Sequence, residues 1–190
     1  MRTIVAFLGA CLLVFAANGV SLAADDAQKL EKERAAIKKA SAEILSELYR
    51  VQPAAKKAIG AAAGYATFSN FGMKILVAGS GSGKGLAVKK GSKPVYMKMF
   101  EVQAGLGLGI KKFKLVFVFE TADAFDDFVN SGWESSAQAS AAAKSGDKGK
   151  ALTGAVSVSK GVWLYQLVDK GLAVEATIKG TKYYKDDDLN

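Results

Sequence analysis

Phe113-Lys114-Leu115-Val116-Phe117-Val118-Phe119-Glu120, followed at once by Thr121-Ala122-Asp123-Ala124, decides the fold class. Phe113, Leu115, Phe117 and Phe119 alternate with Lys114, Val116, Val118 and Glu120. That is the period of two of a β-strand with one strongly aromatic face. The spacing then turns helical. Thr121 stands where an N-cap belongs, Phe125, Phe128 and Val129 share one face, and Gly132 ends the helix.

Working outward, the strand period holds on both sides. Tyr65–Phe68, Met73–Ala78, Gly83–Val88, Val95–Phe100 and Val102–Lys111 read as strands before it, with Gly or Lys-Gly between several of them. Leu152–Ser159, Val162–Val168 and Leu172–Ile178 read as strands after it. Lys160-Gly161 and Asp169-Lys170-Gly171 are the turn-like breaks of a meander. Residues 135–150 are rich in Ala, Ser, Gly and Lys and read as a thin helix or a loop. The expected fold is α+β: a curved antiparallel sheet or partly closed β-barrel of about eight strands, with an N-terminal amphipathic helix and one or two short helices.

That helix is read over Asp25–Val51. Leu30, Ile37, Ile44 and Val51 recur every seven residues, Leu45 and Leu48 widen the stripe, and Pro53 ends it. Its charges balance, which favours a stripe docked on the domain over a membrane-surface helix with excess positive charge. Before it, Arg2, the apolar run Ile4–Ala17 and Ser21-Leu22-Ala23 have the three parts of a cleavable export signal. The apolar run is shorter than the ~20 residues of a spanning helix. The expected organisation is residues 1–23 as signal peptide, 24–52 as helix and 53–190 as an α+β domain packed with it. The expected location is exported, periplasmic or secreted. A lipoprotein anchored through Cys11 is the less favoured alternative, because cleavage there leaves an apolar start to the mature chain.

Two glycine runs imitate nucleotide motifs. Gly79-Ser80-Gly81-Ser82-Gly83-Lys84-Gly85 fails as a phosphate loop, since Ala78 stands where its first glycine belongs and Gly85 replaces the magnesium-binding hydroxyl. Gly105-Leu106-Gly107-Leu108-Gly109 fails as a dinucleotide fingerprint, since Ile110 follows. Alternate glycines instead bare one face of a strand, letting a neighbour pack closely or the sheet bend. Residues 135–143 are a candidate for the neighbour.

Charge is unevenly placed. The chain has 26 Lys and Arg against 18 Asp and Glu, a net +8. Between Pro53 and Leu115 there are eleven lysines and a single acid, Glu101. Lysine without arginine suits diffuse attraction to anionic headgroups better than the forked recognition of phosphates and base edges. The candidate lipid-binding residues are Lys56, Lys57, Lys84, Lys89, Lys90, Lys111, Lys112 and Lys114. The chain has no His and one Cys, which excludes His-dependent hydrolytic dyads and His metal sites. No catalytic residue, metal site or cofactor is expected, and no nucleic-acid or nucleotide partner.

Gly64-Tyr65-Ala66-Thr67-Phe68, the glycine-alternating run, Gly105-x-Gly107-x-Gly109, the aromatic strand and Ala124-x-x-x-Phe128 together resemble the SYLF domain. Lys170-Gly171-Leu172-Ala173, Gly180 and Tyr183-Tyr184 extend the likeness over about residues 35–185. The resemblance implies binding of phosphoinositides and other acidic phospholipids, and for an exported bacterial member a non-enzymatic lipid-binding role in the envelope. Two features depart from the family pattern: Asp169-Lys170-Gly171-Leu172-Ala173 replaces a Ser/Arg-Gly-Leu-Phe run, and the helix is neutral. The expected partner is an anionic phospholipid or membrane surface. The alternatives are a structural or protein-interaction module with an envelope protein partner, or a lipid carrier with an internal cavity.

Overall fold

The computed structural model describes residues 15–75, 78–104, 109–134, 152–169, 171–173 and 180–190, with side chains placed over 26–69, 82–101, 113–134 and the last three segments. Helix α1 runs Phe15–Val51, starting ten residues before the expected Asp25 because no proline or turn separates the apolar run from the amphipathic one. Pro53 then forms the N-cap of a short helix, α2, Ala54–Ala61. A proline at a helix start forgoes only an N–H that has no partner there.

Among the described residues nine strands follow: β1 Gly64–Ile75, β2 Ala78–Lys89, β3 Val95–Ala104, β4 Gly109–Phe119, β5 Trp133–Glu134, β6 Val156–Ser159, β7 Val162–Val168, β8 Gly171–Leu172 and β9 Thr181–Lys185. Helix α3, Ala122–Asn130, lies between β4 and β5. All pairings are antiparallel, in the order β5-β9-β3-β2-β1-β4-β7-β6, with β8 on β7. The sheet curls into an open half-barrel, so the expected α+β class holds.

Several strand edges differ from the sequence reading. Tyr65–Phe68 and the start of Met73–Ala78 belong to the one strand β1, and the β1–β2 connection falls inside the second run. The Gly-Ser segment 79–83 is not a loop: it lies within β2, in unbroken register from Gly64↔Lys89 to Ile75↔Ala78. Val102–Lys111 divides between β3 and β4, and Leu152–Ala155 is a turn before β6. The expected role for 135–143, and the strand expected over 174–178, lie outside the described residues.

The curl follows from the inner aromatic face. Phe117 on β4 and Tyr183 on β9 have ring centroids 5.0 Å apart, although three strands separate them in the sheet. A flat sheet would hold those strands about 19 Å apart at ~4.8 Å per strand. The face carrying Phe68, Phe117, Phe119, Trp133 and Tyr183, against which Phe125 and Phe128 of α3 pack, is therefore the concave one. At the middle of the bend, β2 presents Gly83 and Gly85 inward. A Cβ at Gly85 would overlap the Phe68 ring and the Thr67 carbonyl, and one at Gly83 would overlap Met99 and the Ser69 carbonyl. The bare face expected of alternate glycines exists here, filled by neighbouring side chains.

The convex face is strapped by α1. Ile44 and Leu48 pack on Val116, Val118, Tyr165 and Leu167, while Ile37 joins Leu86, Tyr96 and Leu189. Ser41, at one helix turn from Ile44, accepts from the buried Thr67 hydroxyl at 2.8 Å. The heptad stripe read from sequence is the docked face, and α1 is held by packing.

Candidate functional site

Period two sends consecutive lysines to opposite faces of a strand, and the sheet distributes them accordingly. Lys84 on β2 faces α1 and pairs with Glu33, and its Nζ lies 3.6 Å from the buried Asp186. Lys114 on β4 also faces α1 and pairs with Glu47. Lys89 points the other way, 2.7 Å from Asp126 and 5.8 Å from the centroid of Phe125 on α3. Lys98 bridges Asp186 at 2.8 Å and Asp188 at 3.0 Å. These four lysines are neutralised by carboxylates that lie far from them in sequence. The structure does not bring Lys84, Lys89 and Lys114 onto one surface. The side chains of Lys74, Lys111 and Lys112 lie outside the described residues.

Lys56, Lys57, Lys90 and Lys93 behave differently. Lys56 and Lys57 are exposed on α2, and Lys90 and Lys93 are exposed in the turn between β2 and β3. Among the described residues none of these four has a carboxylate within ion-pair distance. Two hydrogen bonds hold the turn against α2 and the residues just after it: the Lys90 N–H donates to the Ala63 carbonyl, and Lys90 Nζ donates to the Gly60 carbonyl at 2.7 Å.

Where α1, α2 and the β1–β2 pair meet, a pocket of about 380 Å³ opens, lined by Tyr49, Lys56, Ile59, Gly60, Ala62, Gly64, Tyr65, Val88 and Lys90. Ile59 and Ala62 are buried, Tyr49, Tyr65 and Val88 are half-buried, and the two lysines are exposed at the rim. Burial raises the pKa of both phenols, and for Tyr49 the neighbouring Tyr65 adds to it. Both phenols are therefore neutral donors at physiological pH. The site is an apolar pocket with a cationic rim, a setting for an anionic group attached to an apolar one.

Sequence reading supplied Lys56 and Lys90 but missed Tyr49, Ile59, Tyr65 and Val88. Tyr65 and Val88 were legible in principle, since the alternation that turns Ala66 and Ala87 inward turns them toward α1. Tyr49 and Ile59 needed the fold of α2 against α1.

Two other cavities suit an anion less well. One of about 640 Å³ beside α3 is lined by Glu120, Asp123 and Asp127 against Lys160. A smaller one of about 210 Å³ beneath α1 has its lysine, Lys84, already paired. Among the described residues no helix is long and apolar enough to cross a membrane. No three His, Cys, Asp or Glu of that set gather to hold a metal.

Fold and site together define an α+β domain, a curled sheet strapped by one helix, with a basic end around an apolar pocket. Residues 100–190 match the model of the Ysc84 family, described as Las17-binding protein actin regulator. The match lies in residues 100–190, and it is the domain the sequence resemblance indicated. It is also similar to "Beta cell expansion factor A" of Aeromonas veronii, 36% identical over 163 residues. That alignment takes in 85% of this chain and 60% of the relative, so the chain spans somewhat under two thirds of the relative's length.

Proposed function

We propose that this protein is a non-enzymatic, exported lipid-binding protein that docks on anionic phospholipid surfaces through its basic end. The observation that carries the reading is the gathering of Lys56, Lys57, Lys90 and Lys93 around α2 and the β2–β3 turn without carboxylate partners among the described residues. Each such lysine contributes about 1 kcal/mol near an anionic surface. The lysines also hold hydrated point charges on flexible stems, which fits a fluid headgroup layer better than a fixed phosphate. Residues 1–23 supply the export signal on this reading, which places the mature protein in the periplasm or outside the cell. The absence of His from the sequence supports a binding role over acid–base catalysis.

Co-sedimentation with vesicles tests this directly. Binding to vesicles containing anionic lipid is expected, with little binding to purely zwitterionic ones and a steep fall as salt rises. Equal binding to both compositions, or indifference to salt, overturns the electrostatic mechanism.

A protein-interaction role has one specific observation in its favour. Phe100 and Tyr184 are exposed, 45% and 38%, on the same face of the adjacent strands β3 and β9. Each faces a lysine across the ladder, Phe100↔Lys182 and Lys98↔Tyr184. The family's description as an actin regulator accords with a protein partner. Cross-linking through residue 184 in envelope extracts separates this reading from the first: one stable adduct favours it, and its absence removes it.

A further inference from the structure

We infer that the pocket between α1, α2 and the β1–β2 pair is a seat for one anionic amphiphile, a carboxylate or phosphate head on a single alkyl chain. This rests on the lipid-binding reading but is narrower, since it assigns one molecule to one site rather than a surface to a surface.

The lining sorts into three layers. Ile59, Ala62 and Val88 supply apolar wall, Tyr49 and Tyr65 supply half-buried rings with hydroxyl donors, and Lys56 and Lys90 stand at the mouth. Lys90 already spends one donor on the Gly60 carbonyl, which fixes its ammonium beside the pocket and leaves its other donors for a ligand. A volume of about 380 Å³ falls in the range of small-molecule sites, roughly 300–1,000 Å³. The chemistry selects among ligands. A small hydrated anion gains nothing from the apolar wall, and a neutral alkane leaves two cations unused. A cation meets Lys56 and Lys90 with no carboxylate in the lining. An anionic head with one alkyl chain satisfies every layer.

Gly60 gives a second and independent indication. It lies in helix α2 without a left-handed φ, and a Cβ built there meets nothing within 4 Å. Helix propensity favours alanine over glycine at such a place. Packing therefore gives no reason for the glycine. Gly60 lines the pocket, so the open space beside it is space a bound ligand can fill.

The test uses the full mature chain and amphiphiles kept below their micelle concentration, followed by isothermal titration. Decanoate and decyl phosphate are the two anionic arms, with decanol and inorganic phosphate as the controls. Saturable binding of at least one anionic arm at one molecule per chain is expected, with neither control binding. The tighter of the two arms tells whether the head is a fatty-acid carboxylate or a phosphate. Gly60→Trp should abolish binding, and its thermal unfolding checks that the fold is retained. Lys56→Met should weaken binding about tenfold, as for one charge-assisted hydrogen bond. No binding of either anionic arm overturns the inference, as does equal binding of decanol or of inorganic phosphate. Undiminished binding by Gly60→Trp also overturns it. If vesicles bind while decanoate and decyl phosphate do not, the seat fails and the surface reading stands. If the amphiphiles bind while vesicles do not, the surface reading fails and the seat stands.

Discussion

Two glycines of this chain predict opposite outcomes for the same substitution. Gly85 lies on the concave face at the middle of the bend, where a Cβ would collide with the Phe68 ring and a backbone carbonyl. Both obstacles are fixed, the ring by Phe117 at 5.9 Å and Tyr183 at 4.9 Å, the carbonyl by the sheet itself. Gly85→Ala should therefore destabilise the fold by ~1–3 kcal/mol or more, the range of core overpacking. Gly60→Ala meets open space in a helix and should stabilise by up to ~1 kcal/mol. Urea melts of the two variants against the parent check the opposite signs. Phe117 contacts five aromatic rings at 5.0–6.4 Å, so Phe117→Ala should cost ~3–5 kcal/mol in the same assay. The aromatic side of this core was legible from Phe113–Phe119 alone, because alternation fixes the face of every residue in a strand once one is known.

At the scale of elements, the least legible part is the one that holds α1 in place. Residues 186–190 turn back beneath the middle of α1, where Leu189 is buried with Ile37, Leu86 and Tyr96. The Arg34 guanidinium donates to the Leu189 carbonyl at 2.9 Å, and the Asn190 amide donates to the Tyr96 carbonyl at 2.9 Å. From sequence these residues are an acidic tail. Their role comes from partners on α1, β2 and β3, which no local pattern announces. Strand β9 escaped notice for the same reason: five residues have too little alternation to stand out, and the strand exists because β3 pairs with it. The latch carries a pH dependence. Hydrogen bonds, first to Asp186 and then to Asp188, raise the Lys98 pKa, so that contribution is full below the ordinary lysine value and is lost only in strong alkali. Hydrogen bonding to Lys98 lowers the Asp188 pKa, so its contribution is present above the ordinary aspartate value and is lost as pH falls through the lowered one. The latch should thus be insensitive to pH around neutrality and loosen below about pH 4. Methyl NMR shifts of Leu189 follow it. Asp188→Asn should already shift that signal at neutral pH and flatten its acid response.

For the whole molecule, charge counted along the chain and charge presented in space are different quantities. The eleven lysines from Pro53 to Leu115 look like one patch in sequence because the carboxylates that answer them lie elsewhere, at Glu33, Glu47, Asp126, Asp186 and Asp188. Folding brings those acids to Lys84, Lys89, Lys98 and Lys114, and it leaves Lys56, Lys57, Lys90 and Lys93 in the open. A surface reading and a composition reading therefore predict different variants to matter. If composition governed vesicle binding, neutralising any two of the eleven would weaken it alike. On the surface reading, Lys57→Gln with Lys93→Gln removes two free charges at ~1 kcal/mol each, a loss of about 30-fold on anionic vesicles with a shallower salt dependence. Lys84→Gln with Lys114→Gln instead leaves Glu33 and Glu47 of α1 without partners, while Asp186 keeps Lys98. That pair should lower stability modestly, because the ion pairs are partly exposed and worth about 0–1 kcal/mol each. Its direct effect on vesicle binding should be small. Co-sedimentation and thermal melts of both double variants separate the readings, and equal losses of binding would return the function to net charge alone.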